Sequence, residues 1–206
     1  MKKNQPKVIL VLSAIMVAAI FRLIPHWPNF TPMAAIALAG GALVTNRILG
    51  FALPIMAMFI SDLLTVLFIN YQWTTPTEYF TSPETGLVYL AVIAMTAIGV
   101  WFGNRNYSKS TTENSGKFFE KKYSTDLLNV SFLSALVFFL VSNFGTWISA
   151  NGLMPKTFAG LIGTYELGIP FFGYNLIGNI FYSFLMFGFF HAVADLKLSA
   201  KRETIH

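Results

Sequence analysis

Cysteine is absent from this chain of 206 residues, and charge is scarce: Asp, Glu, Lys and Arg together make up 11% of it. The first absence excludes disulfides, thiolate metal sites and cysteine nucleophiles. The second excludes an ordinary water-facing surface, which needs roughly 25% charged residues. No Walker-type glycine loop is present, so the chain has no motif of its own for binding ATP phosphates. Neither a His-Glu-xx-His helix nor a Glu-xx-His pair facing a second one occurs, and His26, His191 and His206 are dispersed. There is no convincing internal repeat and no long low-complexity tract. These gaps argue against an enzyme and against structural zinc, and no cofactor is expected.

What the chain has instead is apolar length. Hydrophobic residues make up 55%, and the mean hydropathy is +0.60. A membrane-spanning helix takes about 20 apolar residues. Runs of this kind predict six spans, at about 8–24, 32–45, 48–69, 86–102, 127–150 and 171–194. The expected fold is an all-α membrane protein: a six-transmembrane-helix bundle forming one integral membrane domain over 1–206. The second run is short and rich in Ala and Gly, and it reads either as a short span or as a re-entrant segment.

The net charge of +5 raises the question of a nucleic-acid partner, and its distribution answers it. With both termini cytoplasmic, Lys2, Lys3, Lys7, Arg47, Arg105, Lys109, Lys117, Lys121, Lys122, Lys197, Lys201 and Arg202 fall inside, and Arg22 and Lys156 outside. Twelve of fourteen basic residues on one side is a topology signal, and no nucleic acid is expected. The Met-Lys-Lys start resembles a secretory signal. Ile20, Phe21 and Arg22 after Ala18 and Ala19 make a poor cleavage context, so the first span is expected to be retained. The polar stretch 103–126 reads as a solvated cytoplasmic connector.

In a bilayer the polar residues are the informative ones. On this topology Arg22, His26, Asn29, Asp62, Asn143, Trp147, Asn175 and Asn179 lie at the outer side, with Tyr165 and Glu166 just before the sixth span. The inner halves are mainly apolar. That pattern predicts a pocket open to the exterior above a closed hydrophobic floor, rather than a pore. Arg22 and Asp62, each the only formal charge in its span, suit an ion pair bracing the bundle, a snorkelling arginine, or ligand contact. His26, between Pro25 and Pro28, suits an interfacial hydrogen bond or a ligand contact. Trp147 suits an aromatic belt or the pocket wall, and the outer loops 70–85 and 155–161 are aromatic or shaped enough to cover a ligand. Ala14 with Ala18, and Ala35 with Ala39, form small-xxx-small ridges that allow close helix packing or partner docking.

The stretch Arg22-Leu-Ile-Pro-His-Trp-Pro-Asn-Phe-Thr-Pro-Met-Ala-Ala-Ile-Ala-Leu-Ala-Gly-Gly41 resembles the opening signature of an uncharacterised family of small bacterial membrane proteins described as candidate transporters. Ser61-Asp62-Leu63, Ser142-Asn143-Phe144-Gly145-Thr146-Trp147, Pro155-Lys156-Thr157-Phe158-Ala159-Gly160-Leu161 and Ile169-Pro170-Phe171-Phe172 resemble its later blocks. That family is similar to the substrate-binding S components of energy-coupling factor (ECF) vitamin importers. The resemblance implies a six-helix S-component-like bundle in the bacterial inner membrane, with an outer pocket for a vitamin-like small molecule. It also implies a coupling subunit, docked on an Ala-xxx-Ala ridge that Ala14 and Ala18 would supply, and two ATPases. The sequence carries no vitamin-specific motif. The contrasting expectation is a structural or assembly protein whose polar outer cluster only stabilises the bundle.

Overall fold

The computed structural model describes residues 29–69, 74–107, 121–149 and 154–203, apart from the side chains of 69, 107 and 194–203. Every regular element among the described residues is helical. The expected first span, with Ala14, Ala18, Arg22 and His26, lies outside them.

Helix α1 (Met33–Leu43) follows Pro32, is rich in Ala, and is buried at every position except Ala42. Its eleven residues rise about 16 Å, roughly half of a 30 Å hydrocarbon layer. The stretch expected as a second span is therefore an internal helix that does not reach across a bilayer by its own length. Asn46 caps α2 (Arg47–Leu64), its side chain accepting from the backbone N–H of Ile48 and Leu49 at 3.0 and 3.3 Å. A π-helical turn, Thr65–Ile69, continues α2. The short α3 (Pro76–Thr81) leads into α4 (Pro83–Tyr107), and α5 (Lys121–Ile148) and α6 (Phe158–Glu203) complete the described bundle.

Four of these helices are long and apolar enough to cross a membrane: Arg47–Phe68, Pro83–Asn106, Lys121–Ile148 and Phe158–Val193. Their outward faces carry large apolar side chains, among them Phe59, Phe68, Trp101, Phe132, Phe181 and Phe189, as lipid contact requires.

Two boundaries differ from the sequence reading. The expected sixth span began at 171, but α6 begins at Phe158 and runs through Pro170, so Tyr165 and Glu166 are helical residues of α6 and do not precede it. Proline lacks the N–H for one helical bond, yet packed apolar helices tolerate it where neighbours compensate. The connector 103–126 is also shorter than expected, because α4 continues to Tyr107 and α5 starts at Lys121.

Helix α1 sits at the centre, packed most extensively on α4 and also meeting α2, α5 and α6. Its backbone touches that of α4. A Cβ placed on Gly99 would lie 2.3 Å from the Leu38 carbonyl oxygen, and one on Gly103 2.6 Å from that of Ala42. Ala35 and Ala39, the expected ridge, are wholly buried in the core with Phe102, Leu127 and Phe187. Leu38–Gly99 followed by Ala42–Gly103 shows α1 and α4 running in one direction. Arg47–Asn104 (2.6 Å) with Asp62–Tyr89 (3.2 Å) shows α2 running against α4, Tyr123–Phe102 with Thr146–Glu84 shows α5 doing the same, and Asn179–Ser131 (2.6 Å) with Tyr165–Leu140 (2.8 Å) shows α6 running against α5. One end of the bundle thus gathers Arg47, Asn104, Arg105, Lys121 and Lys122, with Arg105 3.8 Å from Asp126.

Candidate functional site

At the opposite end the helices enclose a cavity of about 950 Å³. Its floor is apolar. Met58, Val88 and Phe138 face it, backed by Met33, Ala34, Ala37, Val92 and Met95. Below these lies the main core around Ile36, Leu38, Phe102, Leu127 and Phe187.

The walls are polar because helix ends meet there. Asn29 enters from α1's leading segment with φ 63°, a left-handed conformation that asparagine tolerates better than most residues. The next residue, Phe30, anchors that segment against Phe181 and Tyr182, ring centroids 6.2 and 5.4 Å away.

A second wall comes from the starts of α3 and α4. Thr75 and Glu78 form a reciprocal capping box: Thr75 N–H donates to Glu78 Oε2 at 2.9 Å, and Glu78 N–H donates to Thr75 Oγ1 at 3.2 Å. The Thr75 backbone bond, then its hydroxyl, holds the Glu78 carboxyl below the usual glutamate range. Ser82 accepts from the Thr85 N–H at 3.1 Å at the head of α4, and Glu84 follows. Both carboxylates thus occupy first turns of helices, where the dipole favours negative charge.

Helices α5 and α6 close the remaining sides with Ser142, Asn143, Thr146, Ser149, Thr164 and Asn175, among others. Thr146 Oγ1 donates to Glu84 Oε1 at 2.9 Å, tying α5 to α4. Asn143 Nδ2 donates to the Phe139 carbonyl at 2.8 Å, and Thr164 Oγ1 to that of Gly160 at 2.9 Å. Tyr79, Phe139, Phe171 and Phe172 add rings to the lining.

Of the residues expected at the site, the structure brings Asn29, Asn143 and Asn175 together on the cavity. Others are placed elsewhere. Asp62 is buried and accepts from Tyr89 Oη at 3.2 Å, bridging α2 to α4. Asn179 is fully buried, donating to the Ser131 carbonyl at 2.6 Å and accepting from Ser183 Oγ at 3.3 Å. Tyr165 Oη donates to the Leu140 carbonyl at 2.8 Å, and Glu166 is exposed. Trp147 Nε1 donates to the Pro155 carbonyl at 3.0 Å, fastening the α5–α6 turn. None of these five lines the cavity. An amide or carboxylate in an apolar helix must find a partner, and a neighbouring helix serves as well as a ligand.

Sequence reasoning missed Glu78, Ser82, Glu84, Thr85, Ser142 and Thr164. The signal for the first was present: Thr75-Pro76-Thr77-Glu78 has the spacing of a capping box, which marks a helix start. Among the described residues, no group of three or more His, Asp and Glu could hold a metal ion.

No curated protein and no solved structure matches the chain. A family model does match, over residues 2–201, and the chain accordingly belongs to a family of unknown function, DUF6580.

Proposed function

We propose that this protein is an uptake transporter, or the substrate-binding membrane subunit of one, for a vitamin-like small molecule. The observation that supports this reading is the cavity itself: about 950 Å³, polar-walled, closed below by packed apolar side chains. Small-molecule sites fall at roughly 300–1,000 Å³. The cavity lies at the end opposite the basic cluster, which on the positive-inside rule is the outer end. The alternating helix directions suit six spans with both termini cytoplasmic in a bacterial inner membrane, α1 being the short second span packed inside the others. On this reading the protein binds and moves its ligand without chemical change. Ligand enters the pocket from outside, and the bundle reorients to release it inside. ATP drive would come from an ECF-type coupling subunit and its ATPases, docked through Ala14 and Ala18.

A second reading, a structural or assembly protein, draws on the three interhelix braces Asp62–Tyr89, Thr146–Glu84 and Asn179–Ser131. Native mass spectrometry of gently extracted protein separates the two. A bound metabolite, or a thermal shift with a member of a vitamin panel, is expected for uptake. Stable partner proteins with no bound metabolite and no shift would overturn it in favour of the scaffold.

A further inference from the structure

The chain carries a net charge of +5, yet the described residues lining its cavity have the opposite character. Among the described lining residues the only formal charges are the carboxylates of Glu78 and Glu84, and no Lys, Arg or His is present. Several of the wall's hydrogen-bond donors are engaged within the protein. Asn143 Nδ2 and Thr164 Oγ1 point at carbonyls of their own helices, and Thr146 Oγ1 at Glu84 and the Ser142 carbonyl. Acceptors are left over. Asn175 is 7% exposed, lines the cavity, and its Oδ1 is buried with no hydrogen-bond donor. A buried acceptor without a donor is costly, and a ligand N–H would remove that cost. The rings of Tyr79, Phe139, Phe171 and Phe172 add negative π-faces, which attract cations in desolvated sites.

We infer that the cavity selects an organic cation bearing N–H donors, a protonated amine on a flat or apolar body, over neutral and anionic molecules of the same size. This rests on the cavity being a ligand site, and it adds the charge and donor pattern of the ligand. An anion would meet two carboxylates. A cation would find those carboxylates on the α3–α4 side and an amide acceptor and rings on the α5–α6 side.

Three probes of one skeleton test the inference on full-length protein in neutral phosphatidylcholine nanodiscs: 1-naphthylmethylamine, 1-naphthylmethanol and 1-naphthoate, each followed by its own fluorescence. The amine is expected to bind at least tenfold more tightly than the alcohol, with the carboxylate weakest. In the E78Q/E84Q double variant the amine should lose about tenfold in affinity while the alcohol is unchanged, since glutamine preserves both the capping spacing and the acceptor for Thr146. Naphthoate binding as tightly as the amine, or an amine affinity unmoved by the double variant, would overturn the charge selection and leave the ligand site standing. Failure of all three probes to bind would overturn both.

Discussion

Lys156 and Trp147 hold each other in the turn between α5 and α6. The Lys156 ammonium donates to the carbonyls of Trp147 and Ser149, the latter at 2.6 Å, and lies 5.9 Å from the centre of the Trp147 ring. The indole N–H returns a bond to the carbonyl of Pro155. The last carbonyls of a helix lack intrahelical donors, and here a lysine from the next helix's approach supplies them. Replacing it by methionine is expected to lower stability by about 0.5–1 kcal/mol. Faster hydrogen exchange over 154–160 would accompany that loss, and arginine should restore part of the protection. Unchanged exchange in the methionine variant would show that the clasp does not hold the turn.

Gly99 and Gly86 belong to the same helix and should respond oppositely to alanine. At Gly99 the added methyl meets the Leu38 carbonyl oxygen at 2.3 Å, so the two backbones must part. A loss of about 3 kcal/mol or more is expected in denaturant unfolding. At Gly86 nothing lies within 4 Å, and alanine should be neutral or up to about 1 kcal/mol stabilising. Equal effects at the two sites would contradict the contact between α1 and α4.

Asn179→Leu removes the link to Ser131 and strands Ser183. Interhelix hydrogen bonds in membranes are worth about 0.6–1.7 kcal/mol, so a loss of that size is expected in equilibrium unfolding. Ligand affinity should change little, because Asn179 does not line the cavity. Asn175→Leu should do the reverse, weakening binding at least tenfold with little loss of stability. Identical behaviour of the two variants would dissolve the distinction between brace and wall.

The Thr75–Glu78 box gives α3 a pH dependence. Its carboxyl titrates below the usual glutamate range because the ionised form accepts the Thr75 bonds. The folded-state value is the lower one, so the stabilisation is fully present above the unfolded glutamate value and is lost as pH falls through the folded one. Exchange protection over 75–81 should therefore hold at neutral pH and drop in acid. The E78Q variant should show no such drop.

Much of the bundle was legible because apolar runs and breaker residues are long-range signals. The helices over 48–69, 86–102 and 127–150 appear close to where hydropathy puts them. What hydropathy could not give is direction around the helix axis. Asn143, Asn175 and Asn179 read alike in sequence, yet two face the cavity and the third faces Ser131. Gly41, Gly99 and Gly103 carry the close approach of α1 to α4, whereas the alanine pairs drew attention first, since small residues are common in such spans. The start of α6 was hidden by Pro170, which usually ends a helix and here lies inside one.

The length of α6 has a consequence for where the cavity stands. Its portion with described side chains, Phe158–Val193, has 36 residues, so at 1.5 Å per residue it is about 54 Å long. Fitting that into about 30 Å of hydrocarbon would need a tilt near 56°, steeper than the roughly 0–40° that membrane helices adopt. Part of α6 must therefore rise beyond the lipid tails. If the turns before Pro170 form that part, the cavity wall that carries Thr164 is a collar at headgroup level, and the mouth of the cavity faces water rather than lipid tails.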